Sequence, residues 1–198
     1  KQDPPNRKKG SIGELEFRLW LEKKIDLTIN YRDATSFSLK TGAKLSVLPI
    51  QISQDVDCGV DLDVELLDHN RPTGIHFFVQ VKNVRNSPRF TKEDRMYLYT
   101  QSKYRPVMIA RRNNDGSWHF TTIRDVLKGD PTFLTATSTK SIPKKLWSPL
   151  NSDSLGEFLE DLMNQEKAEL MAYYRQIQQR DLFKLNGIVE TLIHSSEG

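Results

Sequence analysis

The 198-residue chain has one cysteine, Cys58. That excludes a disulfide framework and a cysteine-built zinc site, and it suits a reducing cytoplasm. The four histidines, His69, His76, His119 and His194, are scattered without ligand spacing, so no zinc site is expected from them either. No apolar run approaches the roughly 18 residues of a membrane helix, which excludes a helical membrane protein. Residues 1–9 are polar, carry two prolines and lack an apolar core segment. They read as a flexible N-terminus and not as a secretory signal. Net charge is also small, at +3, and as a total it points to no partner.

Resolved along the chain, the same charge is segregated. Residues 53–68 hold six carboxylates (Asp55, Asp57, Asp61, Asp63, Glu65, Asp68) and no Lys or Arg. Residues 82–112 hold nine basic side chains against Glu93 and Asp94, and residues 151–198 hold nine carboxylates against four basic residues. An acidic stretch followed by a basic tract can hold a hard cation beside a polyanion. Equally, the two can neutralise each other across a solvated surface.

Hydrophobic periodicity places these blocks on elements. Ile12, Leu15 and Leu19, with Phe17, Trp20 and Leu21, predict an amphipathic helix from Ser11 to about Ile25, opened by the Ser11/Glu14 capping-box spacing. Val60, Leu62, Val64 and Leu66 alternate with Asp61, Asp63 and Glu65, the period-two pattern of a strand with carboxylates on one face. Turn chemistry over residues 68–74 and a second strand over residues 75–81 complete a hairpin. A basic loop containing Pro88 follows. Further strands are predicted at residues 106–110 and 117–121, around an Asn113–Gly116 turn, then a short helix from Thr122 or Ile123 to Lys128. Residues 132–150 read as irregular, and Leu155, Phe158, Leu159, Leu162 and Met163 recur at helical spacing. The order predicts an α/β or α+β domain with an acidic helical tail.

On the second strand Gln80 and Lys82 are two apart and project from one face, opposite the carboxylate-bearing strand. A carboxylate, an amide oxygen and a lysine on one sheet face have the residue types for metal-assisted phosphodiester hydrolysis. The simpler reading is a cross-strand salt bridge beside an amide. For Glu14 the simpler reading is the capping box with Ser11, and Glu16 competes with it as a helix-borne acid. Asp63 and Glu65 read chiefly as solvated acids.

The segments Gly59-Val60-Asp61, Val64-Glu65, Pro72-Thr73-Gly74 and Phe78-Val79-Gln80-Val81-Lys82 resemble the core of the PD-(D/E)xK, or restriction-endonuclease-like, nuclease superfamily. In particular they resemble a bacterial branch related to the Mrr-type nucleases in which the motif reads Gln-x-Lys. Gly13-Glu14 resembles that branch's first core helix, and residues 104–118 its next strand pair. The resemblance spans residues 10–162 and implies a mixed central sheet flanked by helices in a nuclease-like domain over residues 10–150. Residues 151–198 follow as a helical extension, or linker to a further domain or partner.

By position, the resemblance makes Asp61 the metal-binding aspartate, with Gln80 and Glu14 as further ligands of Mg²⁺ or Mn²⁺, and Lys82 the motif lysine. Asp61, Gln80, Lys82 and Glu14 are then the catalytic set. Arg85, Arg89, Lys92 and Arg95 are candidates for tracking the phosphate backbone of DNA, positioning without base readout. Such domains serve in the cytoplasm as effectors of anti-phage or restriction systems, with a partner or homo-oligomer completing the assembly. Gln80 replaces the usual acid and leaves one anionic ligand fewer. An inactive nuclease-like module that binds nucleic acid or a protein therefore stays open as the alternative, and an RNA nuclease as a third reading.

Overall fold

The computed structural model describes residues 5–23, 27–29, 43–52, 59–68, 71–83, 87–166 and 168. The chain divides into two compact units, Lys1–Glu160 and Asp161–Gly198. In the second, residues 161–166 and 168 are helical. The first unit carries the hairpin.

Its architecture is α/β, as the periodicity predicts. Among the described residues a seven-stranded mixed sheet takes the order β1-β2-β3-β4-β6-β7-β9. The strands are β1 (Leu27–Ile29), β2 (Ala43–Gln51), β3 (Leu62–Asp68), β4 (Arg71–Lys82), β6 (Val107–Arg112), β7 (Trp118–Thr122) and β9 (Ser148–Pro149). β5 (Arg89–Phe90) and β8 (Lys140–Ser141) pair separately. The β3–β4 hairpin is antiparallel, with Leu62 opposite Val79, and β4 runs parallel to β6, with Gln80 beside Ile109 and Lys82 beside Arg111. A parallel pair needs a crossover. Here it contains the helix α2 (Lys92–Ser102).

Helices cover both faces, and strand alternation assigns side chains to them. On one face α1 (Pro5–Lys23) buries Phe17 and Leu21, with Phe17 edge-on to Trp118 at 4.8 Å. Residues 152–160 are helical, and Phe158 packs edge-on to Phe77 at 5.0 Å. On the other face α2 and α3 (Ile123–Gly129) close a core of Val60, Phe90, Leu98, Val107, Ile109, Ile123, Val126, Phe133, Ile142 and Trp147. Each large side chain so buried contributes on the order of 1.5–3 kcal/mol.

Three expectations are corrected. α1 begins at Pro5, where proline's fixed φ suits the first helical position. Residues 5–9 are therefore helical, and Ser11 lies inside the helix instead of capping it; residues 1–4 lie outside the described residues. The inward stripe of α1 is Gly13, Phe17 and Leu21, while Ile12, Leu15 and Leu19 are exposed. Finally, α2 occupies part of what reads as loop, nucleated by a capping box. Thr91 Oγ1 accepts from the Asp94 N–H at 3.1 Å, and Asp94 Oδ2 accepts from the Thr91 N–H at 2.7 Å.

Candidate functional site

The site forms where β3 begins and β4 ends. Gly59 has φ +73°, and a Cβ there would meet Tyr97 Cβ of α2 at 2.6 Å. A left-handed backbone against a neighbouring helix is a position for glycine. The tight approach delivers Asp61 beside β4, where the Asp61 N–H donates to the Val79 carbonyl at 2.8 Å.

The Asp61 carboxylate is held by the strand it faces. Its Oδ2 accepts from the Val81 N–H at 2.6 Å and from Gln80 Nε2 at 2.5 Å. The same amide nitrogen lies 3.5 Å from the Val81 carbonyl oxygen. Gln80 is 8% exposed, so its amide is committed to these partners and not to water. Lys82 Nζ lies over the Phe90 ring, 5.4 Å from its centroid. An ammonium on an aromatic face is held by the ring quadrupole yet keeps its N–H donors for a ligand.

Glu14 lies on α1, which passes close to this strand end. A Cβ on Gly13 would come 2.4 Å from Asn83 Cβ, immediately after Lys82. Only a glycine lets α1 lie so close, and Glu14 follows it, half-buried. The competing acid Glu16 is an ion-pair partner of Arg112 on β6.

Farther along the hairpin the acids have side-chain partners of their own. Asp63 accepts from Arg105 Nη1 at 3.1 Å and lies 3.0 Å from His76 Nδ1, whose Nε2 is 3.6 Å from Glu65. Arg105 also covers the Phe78 ring at 5.5 Å. These acids are thus neither plainly solvated nor gathered at Asp61.

Of the four basic candidates, Arg85 lies outside the described residues. Arg89 on β5 and Lys92 at the start of α2 are exposed, flanking the Phe90 that supports Lys82. Arg95 is a correction. It is 0% exposed, and its guanidinium donates to the carbonyls of Phe90 (2.8 Å), Ser138 (3.1 Å) and Ala136. A side chain so enclosed ties α2 to the segment before β8 and presents nothing to a phosphate backbone. Its position three residues after Lys92 puts it on the inward face of a helix that sequence reading takes for a loop.

Sequence reading passes over Arg111. Its guanidinium carbon lies 4.5 Å from the centroid of the Trp147 ring, and burial pulls its pKa down. Its cross-strand neighbour His119 is likewise lowered, first by burial and then by the Arg111 charge. Only the Lys82–Arg111 register could have exposed this arginine as a neighbour of the motif, and register between parallel strands is not written in local sequence.

Among the described residues no group of three His, Cys, Asp or Glu side chains gathers to hold a metal. The donor set that fits a hard cation is of another composition, with the Asp61 carboxylate, the Gln80 amide and Glu14 at the adjoining helix. Gln80 can turn either edge of its amide to Asp61, nitrogen as here or, after a half-turn about Cγ–Cδ, oxygen. Oxygen donors of this kind suit Mg²⁺ or Mn²⁺.

Among solved structures, the chain is similar to Hjc, a Holliday junction resolvase from the archaeal hyperthermophile Archaeoglobus fulgidus, at 10% identity and a TM-score of 0.46. The match covers 74% of this chain and 99% of that one. No protein-family model and no curated protein matches the sequence.

Proposed function

We propose that the chain is a metal-dependent nuclease of the PD-(D/E)xK superfamily that hydrolyses DNA phosphodiester bonds at the junction of β3 and β4. The observation that carries this reading is the convergence of Asp61 and Gln80 within hydrogen-bond distance, with Lys82 next on the same strand face. Asp61, oriented by the Val81 N–H, and the Gln80 oxygen would hold Mg²⁺ or Mn²⁺, with Glu14 assisting. Such an ion supplies charge neutralisation at the scissile phosphate and acidifies water. Lys82, its ammonium lying over Phe90, orients the attacking water and stabilises charge developing on phosphorus. Exposed Arg89 and Lys92 carry the flanking backbone, a contact that positions without reading sequence.

The sequence resemblance supports the wider setting: a cytoplasmic anti-phage or restriction effector, assembled with a partner or as a homo-oligomer. A second reading is favoured by one observation. Gln80 brings an amide that donates to Asp61, one anionic ligand fewer than an acid would supply, as it would in a catalytically inactive module that binds nucleic acid or protein. Supercoiled plasmid, single-stranded DNA and RNA incubated with Mg²⁺, Mn²⁺ or EDTA separate the two. The nuclease nicks plasmid only with metal. Intact substrates throughout, in the assembled form as well, leave the binding module.

A further inference from the structure

A cation drawn partly out of water needs a counter-ion or it costs stability. Arg105 meets that need with Asp63, Arg112 with Glu16 and Lys140 with Asp130. Arg95, fully buried, spends its two terminal nitrogens on three carbonyls. Arg111 differs. Its Nε, like that of Arg95, is buried with no hydrogen-bond partner, but among the described residues its guanidinium has neither a carboxylate nor a carbonyl to donate to. What holds it is the face of Trp147. Burial is the influence that lowers its pKa.

Position gives this a meaning. Lys82 and Arg111 are register partners on adjacent parallel strands, where neighbouring chains lie about 4.8 Å apart and partners share a face. Lys82 lies on Phe90 and Arg111 on Trp147, and both rings belong to one core cluster. The end of the β4–β6 pair thus presents two cations side by side on aromatic supports, one strand over from Asp61. Like charges so placed repel unless an anion lies between them. A guanidinium is a planar fork of donors, and such a fork can meet two oxygens of a phosphate at once.

We propose that Arg111 binds a backbone phosphate of the nucleic-acid substrate, adjacent to the one that Lys82 faces. The choice of nucleic acid as ligand rests on the nuclease reading; the demand for an anion does not. Trp147 is the positioning residue that holds the guanidinium.

The test is fluorescence anisotropy of a fluorescein-labelled DNA duplex with the full chain in EDTA, so that no cleavage occurs, across a series of KCl concentrations. Arg111→Met keeps apolar volume against Trp147 and removes the charge. It should weaken binding by about tenfold and reduce the slope of log K against log salt by about 0.9, one phosphate contact. Arg111→Lys, which keeps the charge but loses the fork, should keep the slope and weaken binding by about threefold. Arg124→Gln, an exposed arginine on α3, should follow wild type. Should Arg111→Met fail to fold, Arg111→Lys at wild-type affinity overturns the proposal. So does an unchanged slope in a folded Arg111→Met, an equal loss in Arg124→Gln, or a wild type that binds no duplex. Cleavage with Mn²⁺ is read separately. A wild type that binds through Arg111 but never cleaves removes the nuclease reading alone. One that cleaves with an unchanged Arg111→Met slope removes the Arg111 proposal alone.

Discussion

The two ends of the β3–β4 hairpin carry similar residue types and treat charge in opposite ways. Around Asp63 and Glu65 the carboxylates have side-chain partners: Arg105 and His76 both reach Asp63, and His76 faces Glu65 as well. Around Asp61 the geometry is different. Its Oδ2 takes an amide and a backbone N–H, while Lys82 and Arg111 lie over Phe90 and Trp147. The first arrangement consumes its charges in structure. The second orients charges while leaving cationic donors available for an anion. Counting acids along the strand cannot separate the two, since both ends contribute to one acidic stretch.

The contrast breaks most easily at Asp61. Asp61→Ala should lower plasmid nicking by a thousandfold or more, while Asp63→Asn should change it less than about threefold. Gel assays of the two variants side by side measure both. If Asp63→Asn costs as much as Asp61→Ala, the two ends are not functionally distinct.

The largest stability effect belongs to Arg95. Arg95→Ala removes a fully buried guanidinium and strips three carbonyls of their donor, and should cost about 3 kcal/mol in urea unfolding. Arg89→Ala, on an exposed position, should cost less than about 0.5 kcal/mol. Equal losses would place Arg95 on the surface after all.

A subtler change sharpens the role of the amide. Gln80→Glu puts a second carboxylate where the amide nitrogen now lies 2.5 Å from Asp61 Oδ2. Without metal the pair repels, so Tm in EDTA should fall by several degrees. Mn²⁺ should restore it and half-saturate activity at about a tenth of the wild-type concentration. A Tm indifferent to metal would argue against an ion at this place.

The smallest effect concerns pH. Burial, then Arg111, lowers the His119 pKa. Below the ordinary histidine value near 6.5, the unfolded chain takes up a proton that the folded chain resists, so stability falls as pH drops through that range. His119→Gln should flatten urea midpoints between about pH 7.5 and 5.5. An unaltered slope would assign the acid sensitivity elsewhere.

Much of this was legible in the sequence because it is local. The hairpin, the Asn113–Gly116 turn, the strands on either side of it and the α3 helix all follow from alternation and turn residues, and Gly116 has the positive φ such a turn uses. Gln80 and Lys82 share a face by period-two geometry, and the hairpin pairing brings Asp61 to the same strand end. What was not legible is tertiary. α2 hides because its inward face carries Arg95 beside Leu98, so the apolar stripe that marks a helix is broken by a charge satisfied only by distant carbonyls. Its Thr91/Asp94 capping box was the available signal. α1 misleads in the opposite sense, since its more regular apolar stripe is exposed and glycine leads its packed one. Arg111 joins the motif only through the register of a parallel pair separated by an entire helix.

The central claim, that the Asp61 end of the hairpin is a divalent-metal site, is tested most directly by calorimetric titration of Mn²⁺ into the wild-type chain and Asp61→Ala. The account predicts saturable binding of about one ion per wild-type chain, by analogy with carboxylate–amide oxygen sites, and none in the variant. No binding to wild type, or the same binding to both, contradicts it.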